Sequence, residues 1–304
     1  MTYVVTNFTD YVGRENEFLT ATLFSGGDTG KFARFMTDVK GKTSIPNIAG
    51  DATIQKGTCK TASGTTTITE YFIETTQWEY YEGFCQDDLQ KKFPNTVLAP
   101  GSSNHDAPSG WEEKTVDVKV ASIQKTLELT YWQGDTAGTY TLFDGFIKLI
   151  DAAGDAVDGN TTSATSITAS NVIGLVDDIV VAADVDVKEA DDFNVLVGND
   201  TFDLYIQAVK TANNYHLSAD NNGETYMIGG SGKVLRKVRG LNGTDRMFAG
   251  RGSDFVVGMD VEGEEDIIKI WYSEDDDLVY FRTKAKSGVV PVHTSQIVEF
   301  TLTV

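Results

Sequence analysis

Thr65-Thr66-Thr67-Ile68-Thr69-Glu70-Tyr71-Phe72-Ile73-Glu74-Thr75-Thr76-Gln77-Trp78-Glu79-Tyr80 is the stretch whose reading decides the fold. β-Branched and aromatic residues crowd it and neither Gly nor Pro interrupts it, which is the composition of extended backbone. Ordinary strands run to about 5–6 residues. At about 3.3 Å per residue this one would reach roughly 50 Å. One face carries Ile68, Phe72, Trp78 and Tyr80, while Thr and Glu are scattered over both. A strand this long and this incompletely apolar does not fit inside a compact core, so the expectation is a projecting β-hairpin paired back through residues 49–59. Its apolar residues then need a partner on another molecule.

Upstream, residues 1–43 read as an arm with a Gly-rich break at 25–30 and a short helix over 31–39. Downstream, a polar loop (94–108) leads to the strongest helical signal. Ser109 and Glu112 have capping-box spacing, and Val116, Val120, Ile123, Leu127 and Tyr131 fall on one face before Gly134 closes the helix. Residues 142–152 predict a short helix with Phe143, Phe146, Ile147 and Ile150 inward. Ser170 opens another that buries Ile173, Val176, Ile179 and Val180. Residues 193–197 read as a buried strand, and Asp200 or Thr201 starts a helix carrying Phe202, Tyr205, Ile206 and Val209. The remainder is β, with strands at 233–238, 255–259, 267–272, 278–283, 289–293 and 296–302, and Glu274-Asp275-Asp276-Asp277 forms a hairpin tip. The class is α+β.

Composition narrows function. The chain has 304 residues, a formal charge of −20 and 40% hydrophobic residues, enough for real cores and too acidic for a phosphate-gripping reader of nucleic acid. Two cysteines, Cys59 and Cys85, make no disulfide framework in a chain of this length and read as reduced thiols. No apolar run approaches the ~20 residues of a membrane span, and residues 1–10 lack the regions of a secretory leader. The expectation is a soluble protein made inside a cell.

Site motifs fail on specifics. Gly229-Gly230-Ser231-Gly232-Lys233 would be a phosphate loop only with Gly where Met227 stands and Ser or Thr where Val234 stands. Asp184-Val185-Asp186-Val187-Lys188 begins like a calcium loop but lacks the third carboxylate and the central Gly. His105, His216 and His293 are scattered without metal-like neighbours, no Gly-x-Ser-x-Gly elbow exists, and acidic pairs such as Glu112/Glu113 or Asp191/Asp192 arise readily among 45 acidic residues. No catalytic, cofactor-binding or metal residue is assigned. Charge is better patterned. Lys233, Arg236, Lys237, Arg239, Arg246 and Arg251 make a basic strip, followed from Asp254 to Asp277 by an acidic one, and residues 184–203 are acidic again. These strips read either as solvated loop faces or as complementary patches that orient neighbouring copies.

The order of these elements resembles the Johnson fold, the Hong Kong 97-type fold of tailed-bacteriophage major capsid proteins, with encapsulin shell proteins as relatives. Tyr131-Trp132-Gln133-Gly134-Asp135 and Phe143-Asp144-Gly145-Phe146 look like the family's helix end and the segment after it. Residues 193–202 are similar to the start of its axial domain, and residues 233–240 and Met247-Phe248-Ala249-Gly250 to its middle strand and later turn. The resemblance implies an N-terminal arm (1–40), an extended hairpin (41–82), a peripheral-type domain with the spine helix (83–135 and 260–304) and an axial-type α/β domain (136–259). It implies a virion protein, made in a host bacterial cytoplasm, that forms hexamers and pentamers of an icosahedral head. Its partners would be copies of itself, portal, scaffolding and decoration proteins, and double-stranded DNA faced non-specifically. No long charged helical segment precedes the hairpin, so scaffolding would be separate or absent. Lys56 and Lys60 lie where some relatives cross-link, but no pattern names a partner Asn or a catalytic carboxylate. Ile68, Phe72, Trp78, Tyr80, Arg236, Lys237 and Arg239 are the expected inter-subunit contacts. Competing readings are an encapsulin-like compartment shell, another virion part such as a tail-tube or decoration protein, and, from a different class, an acidic β-rich carbohydrate-binding or hydrolase module.

Overall fold

A computed structural model describes residues 27–51, 65–85, 110–212, 223–229, 231–260, 268–273, 275–276 and 278–303. The expected arm before residue 27, the 94–108 loop, Ser109, Cys59, Lys56, Lys60, His105 and His216 lie outside them.

The chain enters through a 3₁₀ turn, Thr29–Lys31, and then forms a strand, β1 (Arg34–Met36), where a helix was expected. Tertiary pairing overrides local propensity here, because β1 lies parallel to Val256–Gly258 and completes that sheet edge. Strand β2 (Lys42–Asp51) pairs antiparallel with β3 (Thr65–Glu74), in the register Ile45↔Tyr71 and Ala49↔Thr67. The returning strand of the hairpin therefore starts seven residues before the expected 49–59 segment. The long run itself breaks at Thr75, and β4 (Thr76–Cys85) joins a different sheet.

Helix α1 (Gly110–Gln133) matches its expected span. Its stripe Val116, Val120, Ile123, Leu127 and Tyr131 is buried, with Trp132, Phe146, Phe248, Phe255 and Phe281 in one continuous core. Next come α2 (Phe146–Ala153), β5 (Val157–Asp158), α3 (Val172–Ala182) and α4 (Val185–Lys188). Ser170 does not cap α3; Asn171 holds the N-cap position. Strand β6 (Phe193–Val197) is buried throughout, as expected, and α5 spans Asn199–Thr211.

The remaining strands are β7 (Thr225–Met227), β8 (Val234–Lys237), β9 (Met247–Arg251), β10 (Phe255–Asp260), β11 (Ile268–Ser273), β12 (Leu278–Pro291) and β13 (Val298–Phe300). A five-stranded sheet runs β1-β10-β12-β11 with β4 on the other side of β12, and a six-stranded sheet runs β5-β13-β9-β6-β8-β7. Two strands expected at 278–283 and 289–293 are one strand of 14 residues. Burial alternates through Lys284, Ala285 and Lys286, and β4 is bonded along its length as far as Ser287, so nothing interrupts the ladder. The sheets also redraw the expected 136–259/260–304 division. β10 belongs with β12, and β13 belongs between β5 and β9 in the other sheet.

Candidate subunit-contact surface

The five-stranded sheet has two faces. Odd residues of β12 (Val279, Phe281, Ala285) face α1, together with Trp78 from β4. The other face carries the base of the hairpin. There Ile45 and Ile73 are buried with Val39, Val256 and Val292, and the Tyr71 ring meets His293 edge-on at 5.9 Å. His293 holds a left-handed backbone (φ 52°), and its Nδ1 lies 3.0 Å from Oδ1 of buried Asp254.

Past this base the hairpin leaves the body. Residues 66–70 are exposed on both faces of the strand. Ile68 is 67% and Phe72 50% exposed, values that ordinary apolar strand residues do not reach inside a fold. Lys42 leans on this face, with its Nζ 4.6 Å from the Phe72 ring centroid.

Trp78 and Tyr80 are not part of that surface, which corrects the expectation that all four residues share it. At Thr75 the chain passes from the hairpin into the plane of the sheet, where the Thr75 hydroxyl donates to the Val39 carbonyl (3.0 Å). Even-numbered residues point to solvent in β3, whereas Trp78, Tyr80 and Glu82 in β4 turn toward the body. Trp78 is 6% exposed and its Nε1 donates to Ser287 Oγ (3.0 Å). Tyr80 packs edge-on against Phe281 (5.9 Å), donates its hydroxyl to Glu82 and accepts from Lys119 Nζ (3.3 Å). The Lys119 ammonium and then the Tyr80 hydroxyl hold the Glu82 carboxyl below its ordinary range.

The same break places odd residues of β4 outward. Tyr81, 53% exposed, stacks on Tyr280 (5.1 Å, 13°), which lies 5.5 Å from the 37% exposed Trp271. Gly83 stands opposite Tyr280 in the ladder, and a Cβ there would meet the Tyr280 ring at 2.8 Å. Beside these rings Arg282 and Lys284 share one carboxylate, Glu79 (2.7 and 3.4 Å). No sequence signal singled out this face. It exists only because β4 lies beside the β11–β12 pair, from which it is far removed in the chain.

The basic strip is largely occupied within the chain. Arg236 is half-buried, its Nε donates to Asn194 Oδ1 (3.4 Å) and its guanidinium lies 5.9 Å from the Phe32 ring centroid. Burial disfavours its charge. Arg246 binds Asp151 and Glu299 (2.6 Å each), Lys233 donates to the Lys188 carbonyl, and Arg251 reaches the Asp186 carbonyl (3.5 Å). Two of the expected contacts remain at the surface, with Arg239 exposed and Lys237 half-exposed.

Asp184 caps α4 by accepting from the Asp186 N–H (3.0 Å), so the calcium-like stretch is a helix start. Among the described residues no group of three or more His, Cys, Asp or Glu can hold a metal ion, and no helix is long and apolar enough to cross a membrane.

Neither a protein-family model nor a curated protein sequence matches the chain. Solved structures do match it in fold. The capsid of an empty GTA particle is similar at TM-score 0.56 and 12% identity, over 91% of this chain and 90% of that one. The satellite phage P4 procapsid that includes the size determination (Sid) protein is similar at TM-score 0.56 and 12% identity, over 95% and 92%. Microbacterium phage Oxtober96 gives 0.55 and 14%, over 91% of each chain. The fold is thus a mixed α+β fold like that of these phage and GTA capsid structures, and the likeness in fold to phage capsid proteins runs across nearly the whole chain.

Proposed function

We propose that this chain is a non-enzymatic shell subunit, the major capsid protein of a tailed-phage-type icosahedral head, assembling into hexamers and pentamers around double-stranded DNA. One observation carries the reading: a β-hairpin seated firmly at its base, with Ile68 and Phe72 exposed beyond it. Leaving such rings and aliphatic groups in water costs about 25 cal/mol per Å², and a neighbouring copy offers a surface to cover them. The outward face of β3 alternates Ile68, Glu70, Phe72 and Glu74. The open sheet face sets Tyr81, Trp271 and Tyr280 beside Arg282 and Lys284. A neighbour's hairpin on that face would match apolar with apolar and acid with base, and many such contacts add around a closed ring.

The charge of −20 fits an inner wall that does not hold packaged DNA by counterion release. Portal and decoration proteins, and a separate scaffolding protein where one is used, are the partners proposed for such a shell, and the virion is its site of action. Electron microscopy of the purified protein tests the proposal. Icosahedral particles or hexamer–pentamer sheets support it, whereas dispersed monomers or tubes under all assembly conditions overturn it. Shells that enclose protein cargo in place of DNA would favour the compartment reading. The exposed aromatic face also permits a sugar-binding reading, which saccharide-dependent thermal stabilisation would reveal.

A further inference from the structure

The chain enters the fold at a crossing unrelated to the hairpin. Glu128, on the buried side of α1, is 3% exposed. Its Oε1 accepts from the Thr29 N–H (3.0 Å) and from the Thr29 hydroxyl, which in turn accepts from Trp132 Nε1 (2.8 Å). Its Oε2 faces Gly27, where an added Cβ would stand 2.5 Å away, so the entering backbone is pressed against the carboxyl. The following residues tie the crossing to the six-stranded sheet. Asp28 Oδ2 accepts from the Arg239 N–H (3.1 Å), and Lys31 Nζ pairs with Glu224, just before β7 (2.6 Å).

Among the described residues no Lys or Arg is paired with Glu128. Of the charged groups around it, Asp28 on the entering chain opposes its ionisation and Arg239 in the turn after β8 favours it. Burial outweighs the two Thr29 hydrogen bonds and pushes the carboxyl up to about 7. We propose that Glu128 is a proton-operated latch that fastens residues 27–31 to the spine helix, closed when the carboxyl is neutral and loosened when it ionises. The neutral group keeps its proton on Oε2 and still accepts both Thr29 bonds at Oε1. The ionised group leaves a buried charge that no Lys or Arg among the described residues pairs with, a costly arrangement. The folded-state value lies above the ordinary 4.5, so this contribution is greatest at low pH and is lost as pH rises through neutrality.

Hydrogen exchange of the full-length chain, corrected for intrinsic rates, tests this. Protection of the Thr29, Lys31, Phe32 and Ala33 amides should fall about tenfold between pH 6 and 8.5, at roughly tenfold per pH unit of differential titration. Glu128→Gln, which stays neutral, should hold protection constant, and the β6 amides should not change in either protein. A flat wild-type profile, or the same fall in the Gln variant, overturns the latch. A carbon-13 titration of the wild-type Glu128 carboxyl supplies a measurement free of folding defects: a midpoint in the ordinary Glu range also overturns it.

Discussion

Gly258 and Gly288 stand opposite one another across the β10–β12 ladder, and together they form the seat of the hairpin. A Cβ at Gly258 would meet Ile73 Cδ1 at 2.6 Å, and one at Gly288 would meet the Glu74 carbonyl oxygen at 2.0 Å. Two missing side chains thus let one strand cross the face of another sheet at backbone contact. Gly288→Ala should destabilise the subunit by about 1–3 kcal/mol, the usual cost of overpacking, because its obstacle is backbone. Gly258→Ala should cost less, since the Ile73 side chain can shift. Denaturant midpoints of the two variants check the order.

The seat also limits where the hairpin can be cut. Removing residues 45–75 would take Ile45, Ile73 and Thr75 out of the body, where all three are buried. A shorter deletion, of residues 49–67, spares the seat and is expected to leave a folded monomer that forms no particles. Unchanged circular dichroism with loss of particles by sedimentation is the expected pair of results.

Ile68→Asp and Phe72→Asp should each abolish or strongly slow assembly with less than about 0.5 kcal/mol effect on subunit stability, as for ordinary surface substitutions. Trp78→Ala should behave in the opposite way, unfolding the subunit by about 3–5 kcal/mol through loss of a buried aromatic ring. Thermal melts and light scattering on the same samples separate the two classes.

Charge reversal at Lys237 and Arg239 should alter assembly rate and its salt dependence while the monomer stays intact, because both side chains reach the surface. Including Arg236 in the reversal should cost folding as well, since its guanidinium packs over Phe32 and bonds Asn194. Light-scattering assembly kinetics across a salt series, read beside monomer melts, distinguish the double from the triple variant.

Glu299 and Asp151 share the Arg246 guanidinium, and burial followed by the Asp151 charge raises the Glu299 carboxyl above its ordinary range. A raised carboxylate in the folded state binds its proton more tightly than in the unfolded chain. Stability should therefore decline as pH rises from the ordinary Glu range toward the folded value. Glu299→Gln should flatten that decline in urea titrations taken at pH 4.5 to 8.

Some of this was written plainly in the sequence. The stripe from Val116 to Tyr131 fixed the spine helix, because a helix's buried face is a local property repeating every three or four residues. The apolar run of β6 was legible because it too is a local property of consecutive residues. The resemblance to the capsid fold came from the order of such elements. Two other features depended on which distant segments lie side by side. Residues 34–36 became a strand because the edge of β10 was open to them. The 65–80 run kept its extended backbone but changed faces at Thr75, since β4 pairs with β12 while β3 pairs with β2. That change divides the four residues expected on one face, leaving Ile68 and Phe72 exposed and committing Trp78 and Tyr80 to the chain itself. Period-two alternation records that a strand has two faces. Only the sheet it enters determines which face meets water.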